Sequence, residues 1–361
     1  MKALARLAVL GFVAALAGAA AAAGQPVCNL TGEHLMSWPT QNPVWQFCWL
    51  RPMDSSGVSG SGLEVRNVYY NGHQVMKRGH VPILNVKYEM NCGGPSLCYR
   101  DWQDQQVQFI ADNIITQHVY AEPDSPPLDV CDLHHGVDVC QPGDLNCFDG
   151  VAAEKLSDHL TLTTQFEAGW YRYEMKWTFW LDGRIQPEFG FSAVFDPCTN
   201  YNHRHHAYWR FDFDIDDAAN DVVTEGPDPG AGDGGRPGPK PRIVVLPTET
   251  VRTNSYPGIT WSVTDSVSKR GYRIVPGAET ELPADMFSVG DFWCLNYHSN
   301  EIDDSGLTGP PCATHINGFL NRETMPDVVV WYRTGVFHAG GDLDDCHRVG
   351  PTLYPVGDWS P

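Results

Sequence analysis

His203 and His205 are separated by one residue, at the start of a segment that runs to Asp217. From Trp209 onward apolar and polar residues alternate, which is typical of a half-buried β-strand. Carrying the alternation backward places both histidines on the apolar face and His206 on the other. Two imidazoles side by side on a strand suit a copper- or zinc-like ion. A pair of core histidines satisfied by hydrogen bonds is the alternative interpretation, and the pair alone does not exclude it.

The first 23 residues have the pattern of a signal peptide. A basic start, an apolar run and a small-residue cleavage pattern follow one another in residues 1–23. No later stretch is long and apolar enough to predict a membrane span. We therefore expect a secreted protein, periplasmic or extracellular. The 361 residues, 42% of them hydrophobic, provide material for one large domain or two ordinary ones.

Cysteine usage agrees with export. All eleven cysteines lie beyond the predicted cleavage site. In an oxidising compartment they predict up to five disulfides and one odd thiol, with a pairing that the sequence does not give. A thiolate metal cluster is the alternative, but the sequence contains no Cys-x-x-Cys pair.

The net charge of −20 argues against nucleic acid as a partner. An acidic exterior would attract small cations such as amines. Solubility alone is the other interpretation of the same charge.

Strand signals dominate the chain, and helical periodicity is almost absent. Alternating or β-branched segments predict strands at 63–70, 81–90, 171–180, 184–195, 203–217, 243–247, 260–267, 272–275, 291–297 and 328–336. Asn-Gly at 71–72 and Asp-Gly at 182–183 predict hairpin turns. The class is therefore all-β, most simply a large β-sandwich with long, disulfide-stapled loops.

Three segments have the composition of irregular structure. Residues 24–62 are predicted to form an irregular N-terminal segment held by Cys28 and Cys48. Residues 91–150 contain five cysteines and many Asp, Gly and Pro residues, which predicts a loop-rich, disulfide-stapled region. Residues 225–242, rich in Gly and Pro, are predicted to form a flexible loop.

The order of three motifs resembles the catalytic domain of the copper amine oxidases. The motifs are Gly169-Trp170-Tyr171-Arg172-Tyr173 with Trp177 and Asp182-Gly183 after it, His203-Arg204-His205 with Arg210-Phe211-Asp212 after it, and Val329-Val330-Trp331-Tyr332 leading to His338. The resemblance covers roughly residues 63–350 and implies one supersandwich-like domain over residues 63–361. The small N-terminal domains of the family have no counterpart here.

The resemblance implies a role for each matching residue at the centre. His203, His205 and His338 would bind copper, and Tyr171 would be the precursor of topaquinone, formed on the ring by copper and oxygen. Tyr171 lies on the apolar face of its strand, as the two histidines do on theirs, so neighbouring strands could direct all of them at one buried site. An ordinary core aromatic is the other interpretation of Tyr171.

The family's calcium site implies ligands at Asp212, Asp214 and Asp327, all hard oxygen donors. A solvated acidic edge is the alternative for these three residues.

The catalytic base of the family falls at Asp101, near Tyr88. Asp104 is the competing candidate for the base, and an ordinary loop aspartate is the alternative to both. Lys87 stands where the family has Pro before the tyrosine.

The function implied is copper- and topaquinone-dependent oxidation of a primary amine by O₂ to aldehyde, ammonia and hydrogen peroxide, and the family also implies a homodimer. Departures from the family pattern, Trp170 for Asn and Arg172 for an acid, favour a non-catalytic secreted copper-binding protein instead. The retained Tyr171, Tyr88 and Asp101 favour the enzyme. A disulfide-rich adhesion or assembly module without metal is a third alternative.

Overall fold

A computed structural model describes residues 24–57, 61–87, 98–100, 116–120, 150–168, 171–193, 197–229, 242–253, 258–277, 287, 289–302, 315–341 and 347–361. The predicted signal peptide, Tyr88, Asp101 and Asp104 lie outside these residues. Among the helices of the described ranges, none has the length and apolar character that crossing a membrane requires.

The described residues form strands numbered here in chain order. They are β1 (His34–Trp38), β2 (Trp45–Leu50), β3 (Glu64–Tyr70), β4 (His73–Lys87), β5 (Cys98–Arg100), β6 (Thr116–Tyr120), β7 (Gly150–Lys155), β8 (His159–Ala168), β9 (Tyr171–Trp180), β10 (Ile185–Ala193), β11 (His203–Phe213), β12 (Asp221–Pro227), β13 (Val244–Leu246), β14 (Thr250–Arg252), β15 (Ile259–Asp265), β16 (Gly271–Val275), β17 (Phe292–Asn296), β18 (Val328–His338), β19 (His347–Val349) and β20 (Thr352–Val356). Short 3₁₀ turns lie at Pro52–Asp54, Pro197–Asn200 and His315–Phe319.

Two large sheets account for all of these strands. The first has nine strands in the order β1-β2-β3-β4-β11-β18-β17-β14, with β5 paired to β4. The second has eleven strands in the order β13-β12-β15-β16-β20-β10-β9-β8-β7-β6, with β19 paired to β10. The pairs are antiparallel except for β6 with β7. The predicted all-β sandwich is therefore confirmed.

The core lies between the two sheets and is rich in aromatic rings. Trp209, Phe211 and Phe213 of β11 have no exposed surface, and Trp177 of β9 meets Trp209 edge-on at 5.4 Å between ring centroids. Edge-to-face packing at this distance is favourable beyond the area that it buries. The alternation of β11 thus places its apolar face against the opposite sheet, as the sequence predicts.

The other face of β11 is also covered, so the prediction of a half-buried strand was wrong. Every residue of β11 is buried. Tyr208 packs there with Ile83, Trp293 and Trp331 in a second, smaller apolar cluster. A strand whose sequence alternates between polar and apolar residues can therefore be buried on both faces when large aromatic side chains from neighbouring elements cover the second face.

The N-terminal segment differs from the irregular structure that was predicted. It contains β1 and β2, because Trp45, Phe47 and Trp49 alternate into the core in spite of the surrounding Pro and Gly. Cys28 and Cys48, the two cysteines predicted to hold this segment, form a disulfide with each other, a pairing that the sequence did not give. Among the described cysteines, Cys294 is a buried free thiol.

Other strands also differ from the sequence-based prediction. Residues 225–227, predicted as loop, belong to β12. The strands that were not predicted include β5, β6, β7, β8, β12, β14, β19 and β20, and β5 and β6 lie in the region predicted to be loop-rich. In β8 the apolar Leu160 and Leu162 alternate with Thr161 and Thr163, a weaker signal than the aromatic strands give. Both predicted hairpin turns are present, with positive φ at Asn71, Gly72 and Gly183.

Replacing Phe211 by Ala should lower the free energy of unfolding by about 3–5 kcal/mol, because it removes a fully buried ring and the surrounding core relaxes only partially into the cavity. Urea unfolding followed by tryptophan fluorescence measures the change. Val267→Ala is the control, since Val267 is 74% exposed, and it should change stability by less than about 0.5 kcal/mol. Equal effects of the two substitutions would contradict the assigned core.

Candidate metal centre

The antiparallel pairing of β11 and β18 brings the three predicted histidines together. His203 lies directly opposite His338 in the register, and His205 follows two residues later on the same face. Side chains two residues apart on a strand share a face, and directly opposite side chains are neighbours. His206 points to the other face, as predicted, where its Nδ1 lies 3.0 Å from Arg333 Nη1.

The three imidazoles form a compact, buried donor set. One nitrogen from each lies within 4.8 Å of the nitrogens of the other two. His203 Nε2 and His338 Nδ1 are 3.3 Å apart. Between 0% and 6% of each side chain is exposed. Three neutral imidazole nitrogens at this separation could hold a copper or zinc ion.

Burial keeps His203 in the form that a metal requires. The pKa of His203 is lowered to about 4, chiefly by burial and in part by the neighbouring His338, although the hydrogen bond to the Tyr201 carbonyl opposes them. That carbonyl lies 2.6 Å from His203 Nδ1 and can only accept a hydrogen bond. The proton of the neutral ring is therefore on Nδ1, and the lone pair of Nε2 faces the other histidines. The residues present fit a copper ion.

Tyr171 reaches this donor set from the opposite sheet. It begins β9, and its hydroxyl oxygen lies 2.6 Å from His203 Nε2 and 3.2 Å from His338 Nδ1. Its ring is 1% exposed and meets Phe191 edge-on at 5.3 Å. A phenol in this position would lie within bonding range of an ion bound by the histidines, where a redox metal could act on its ring.

A second tyrosine of the same strand also meets a histidine, which the sequence analysis did not predict. The hydroxyl of Tyr173 lies 2.8 Å from His205 Nδ1. The available signal was the shared spacing: Tyr171 and Tyr173 are two residues apart on one face of β9, as His203 and His205 are on β11.

The predicted calcium ligands also converge. Carboxylate oxygens of Asp212, Asp214 and Asp327 lie within 4.8 Å of one another. Asp212 and Asp214 are buried, which argues against the solvated acidic edge. The Oδ1 atom of each is buried and has no hydrogen-bond partner among the described residues. Buried, unpaired carboxylate oxygens in such a cluster are costly without a cation.

The electrostatics of this cluster support the same conclusion. The pKa of Asp214 is raised to about 7, chiefly by burial and in part by the charge of Asp212. Burial raises the pKa of Asp327 to about 6, again with a contribution from Asp212. The raised pKa values of Asp214 and Asp327 reflect the cost of placing negative charge here, and a bound cation would offset that cost. The three carboxylates provide a donor set suited to Ca²⁺.

A third group, formed by Glu249, His298 and Glu323, was missed by the sequence analysis because its members come from separate segments without a spacing signal. His298 Nε2 lies 2.5 Å from Glu323 Oε1. The carboxylate of Glu249 accepts hydrogen bonds from the backbone N–H groups of Asn296, Asn321 and Arg322. These contacts join the segments that lead into β14, out of β17 and into β18.

Comparison with solved structures gives the class of this fold. The chain superposes on a copper-containing benzylamine oxidase from Hansenula polymorpha with a TM-score of 0.60 and 14% identity, over 99% of this chain and 66% of that one. An amine oxidase from Aspergillus nidulans gives 0.54 and 16%, over 98% and 56%. A lysyl oxidase from Pichia pastoris gives 0.53 and 14%, over 86% and 51%.

The resemblance to copper amine oxidases is thus confirmed as a likeness of fold. The chain spans between half and two thirds of the length of these neighbours. No family model and no curated protein sequence matches it.

His203 should make the metal-free protein sensitive to mild acid. Its pKa is about 6.5 in the unfolded chain and about 4 in the fold, so the unfolded state binds the proton more readily. Stability contributed by the neutral ring is complete above pH 6.5 and is lost as the pH falls toward 4, by about 3 kcal/mol.

Replacing His203 by Gln should flatten this part of the stability curve, which thermal unfolding in the presence of a chelator measures between pH 4 and 7. His159→Gln, at the first residue of β8, is the control and should leave the slope as it is. An unchanged slope in the His203 variant would contradict the assigned environment.

Proposed function

We propose that this protein is a copper-dependent amine oxidase whose quinone cofactor forms from Tyr171. The observation that supports the proposal is the position of the Tyr171 hydroxyl, within 3.2 Å of candidate ligand nitrogens on both His203 and His338. The same three histidines and one tyrosine were identified from the sequence motifs. The fold shared with solved copper amine oxidases is a second, independent support.

Each residue of the centre has a part in this proposal. His203, His205 and His338 hold the copper ion through neutral imidazoles. Bound copper would supply the one-electron chemistry and oxygen activation that convert the Tyr171 ring to topaquinone. The buried walls, including Phe191 against Tyr171 and His205, keep water away from the ring.

The substrate in this proposal is a small primary amine, oxidised with O₂ and water to aldehyde, ammonia and hydrogen peroxide. Asp101 is the proposed base that removes the proton from the carbon next to nitrogen, and Tyr88 its neighbour. A base of this kind needs a pKa near the working pH. The acidic surface of the chain would concentrate cationic amines. Secretion and a homodimer belong to the same proposal.

A non-catalytic copper-binding protein is the second candidate. The observation that favours it is the replacement of both sequence neighbours of Tyr171, by Trp170 and Arg172, relative to the motif that the chain resembles. Such a protein would use the three histidines in the same way and leave Tyr171 unmodified.

Calcium is the proposed second metal, bound by Asp212, Asp214 and Asp327. The three unpaired Oδ1 atoms support it. Because two ligands lie at the end of β11 and the third immediately before β18, the ion would join the two strands that carry the histidines.

Copper-loaded, aerated protein treated with phenylhydrazine should develop a new visible absorption band, because the reagent reacts with a quinone carbonyl. The Tyr171→Phe variant should bind copper and give no band. Tyr272→Phe is the control, since Tyr272 is an equally buried tyrosine whose hydroxyl donates to the Gly183 carbonyl. Copper without a band in the wild type indicates the copper-binding alternative, and a band in Tyr171→Phe would refute the assigned precursor.

Calcium should stabilise the protein most above neutral pH. The folded pKa values of Asp214 and Asp327, about 7 and about 6, exceed those of the unfolded chain. Without a cation the free energy of unfolding therefore falls as the pH rises from about 4 to about 7. At pH 8, calcium at 100 times its Kd should restore about 2.7 kcal/mol.

Thermal unfolding with and without calcium measures this effect, and Asp214→Asn should reduce it. Asp158→Asn, which alters an exposed turn carboxylate, should respond as the wild type does. Equal calcium responses in both variants would show that the ion binds elsewhere.

A further inference from the structure

Tyr173 lies beside the candidate metal centre and has no role in the reaction proposed above. Its hydroxyl lies 2.8 Å from His205 Nδ1, and its ring lies 5.7 Å from that of Tyr171. Both rings are buried. The two tyrosines of β9 therefore meet the two histidines of β11 in the same order, each with a histidine 32 residues further along the chain.

The contact between Tyr173 and His205 bears on which nitrogen of the His205 ring carries the proton. A neutral histidine carries one N–H and one lone pair, and a metal ion takes the lone pair. For His203 the Tyr201 carbonyl settles the question, since it can only accept. For His205 the neighbour is a hydroxyl, which can donate or accept, so the tautomer depends on how Tyr173 is used.

We propose that Tyr173 is a positioning residue that accepts a hydrogen bond from His205 Nδ1–H and so directs the Nε2 lone pair at the metal. The inference rests on the copper centre of the proposed function. With the opposite hydrogen-bond direction, Nε2 would carry the proton and could not bind an ion.

Packing and hydrogen bonding fix different aspects of the orientation of the His205 imidazole. Phe191 packs against His205 with 4.1 Å between centroids, and Tyr171 meets it edge-on at 4.5 Å. These contacts fix the plane of the imidazole, but an apolar wall accepts a ring rotated by 180° equally well. The Tyr173 hydroxyl distinguishes the two orientations, because only one of them places Nδ1 beside it.

The effect on metal affinity of losing such a hydrogen-bond partner has a typical magnitude. Removing the acceptor that orients a metal-binding histidine typically weakens metal affinity by about 10–100-fold. Tyr173→Phe keeps the ring, and with it the packing against Phe189, while it removes the oxygen. We therefore expect its copper Kd to rise by about 10–100-fold. Tyr272→Phe, which loses a buried hydroxyl hydrogen bond elsewhere, should keep the wild-type Kd within about twofold.

Two measurements test the proposal. Competition with a chelator of known affinity gives the copper Kd of the wild type, Tyr173→Phe and Tyr272→Phe. Long-range ¹H–¹⁵N NMR correlations of the metal-free protein, assigned with His205→Gln, give the tautomer of His205. The wild type should show the Nδ1–H form, and Tyr173→Phe a mixture or the Nε2–H form.

An Nε2–H tautomer in the wild type, or a tautomer and copper Kd that Tyr173→Phe leaves unchanged, would overturn the role of Tyr173. Failure of the wild type to bind copper would remove the proposed function instead. The tautomer measurement separates the two cases, because it requires no metal and decides the role of Tyr173 by itself.

Discussion

The antiparallel pairing of β11 with β18 is the contact on which the candidate site depends. It places His203 opposite His338 and leaves His205 on the same face. Because side chains alternate along a strand, a slip of one residue in this register would turn His338 away from the other two histidines. The aromatic core on one face and the smaller apolar cluster on the other oppose such a slip, since each fixes which residues of β11 point inward.

The same two strands connect the histidine cluster to the acidic one. Nine residues of extended chain separate His203 from Asp212, which corresponds to about 30 Å. An ion bound by the aspartates would therefore be too far away to take part in chemistry at the histidines. Its effect would be mechanical: it would neutralise the carboxylates at one end of β11 and β18 and hold the register that aligns the histidines at the other end.

Much of this arrangement could be predicted from the sequence, because its signals are local. The alternation after Trp209 gives the face of the histidines, and Asp182-Gly183 gives the hairpin that follows Tyr171. The register between β11 and β18 is not local, since the strands are more than 100 residues apart, and only the resemblance connected His338 to the pair. Tyr173 was missed for a similar reason: its contact with His205 crosses from one sheet to the other.

Sequence reasoning was least accurate where composition and packing disagree. The Pro- and Gly-rich N-terminal segment contains two strands because Trp45, Phe47 and Trp49 bury enough surface to outweigh its turn-forming residues. β11 is buried on both faces, although its alternation of polar and apolar residues is typical of a strand with one solvent-exposed face. In both cases the deciding partners are large aromatic side chains from distant parts of the chain.

Anomalous X-ray scattering at the copper edge, recorded from crystals grown with copper, would locate the bound ion. We expect one strong peak between the His203, His205 and His338 nitrogens, within bonding distance of all three and beside the Tyr171 ring. A peak elsewhere with none at these histidines, or a bound ion that one of the three does not reach, would contradict this expectation.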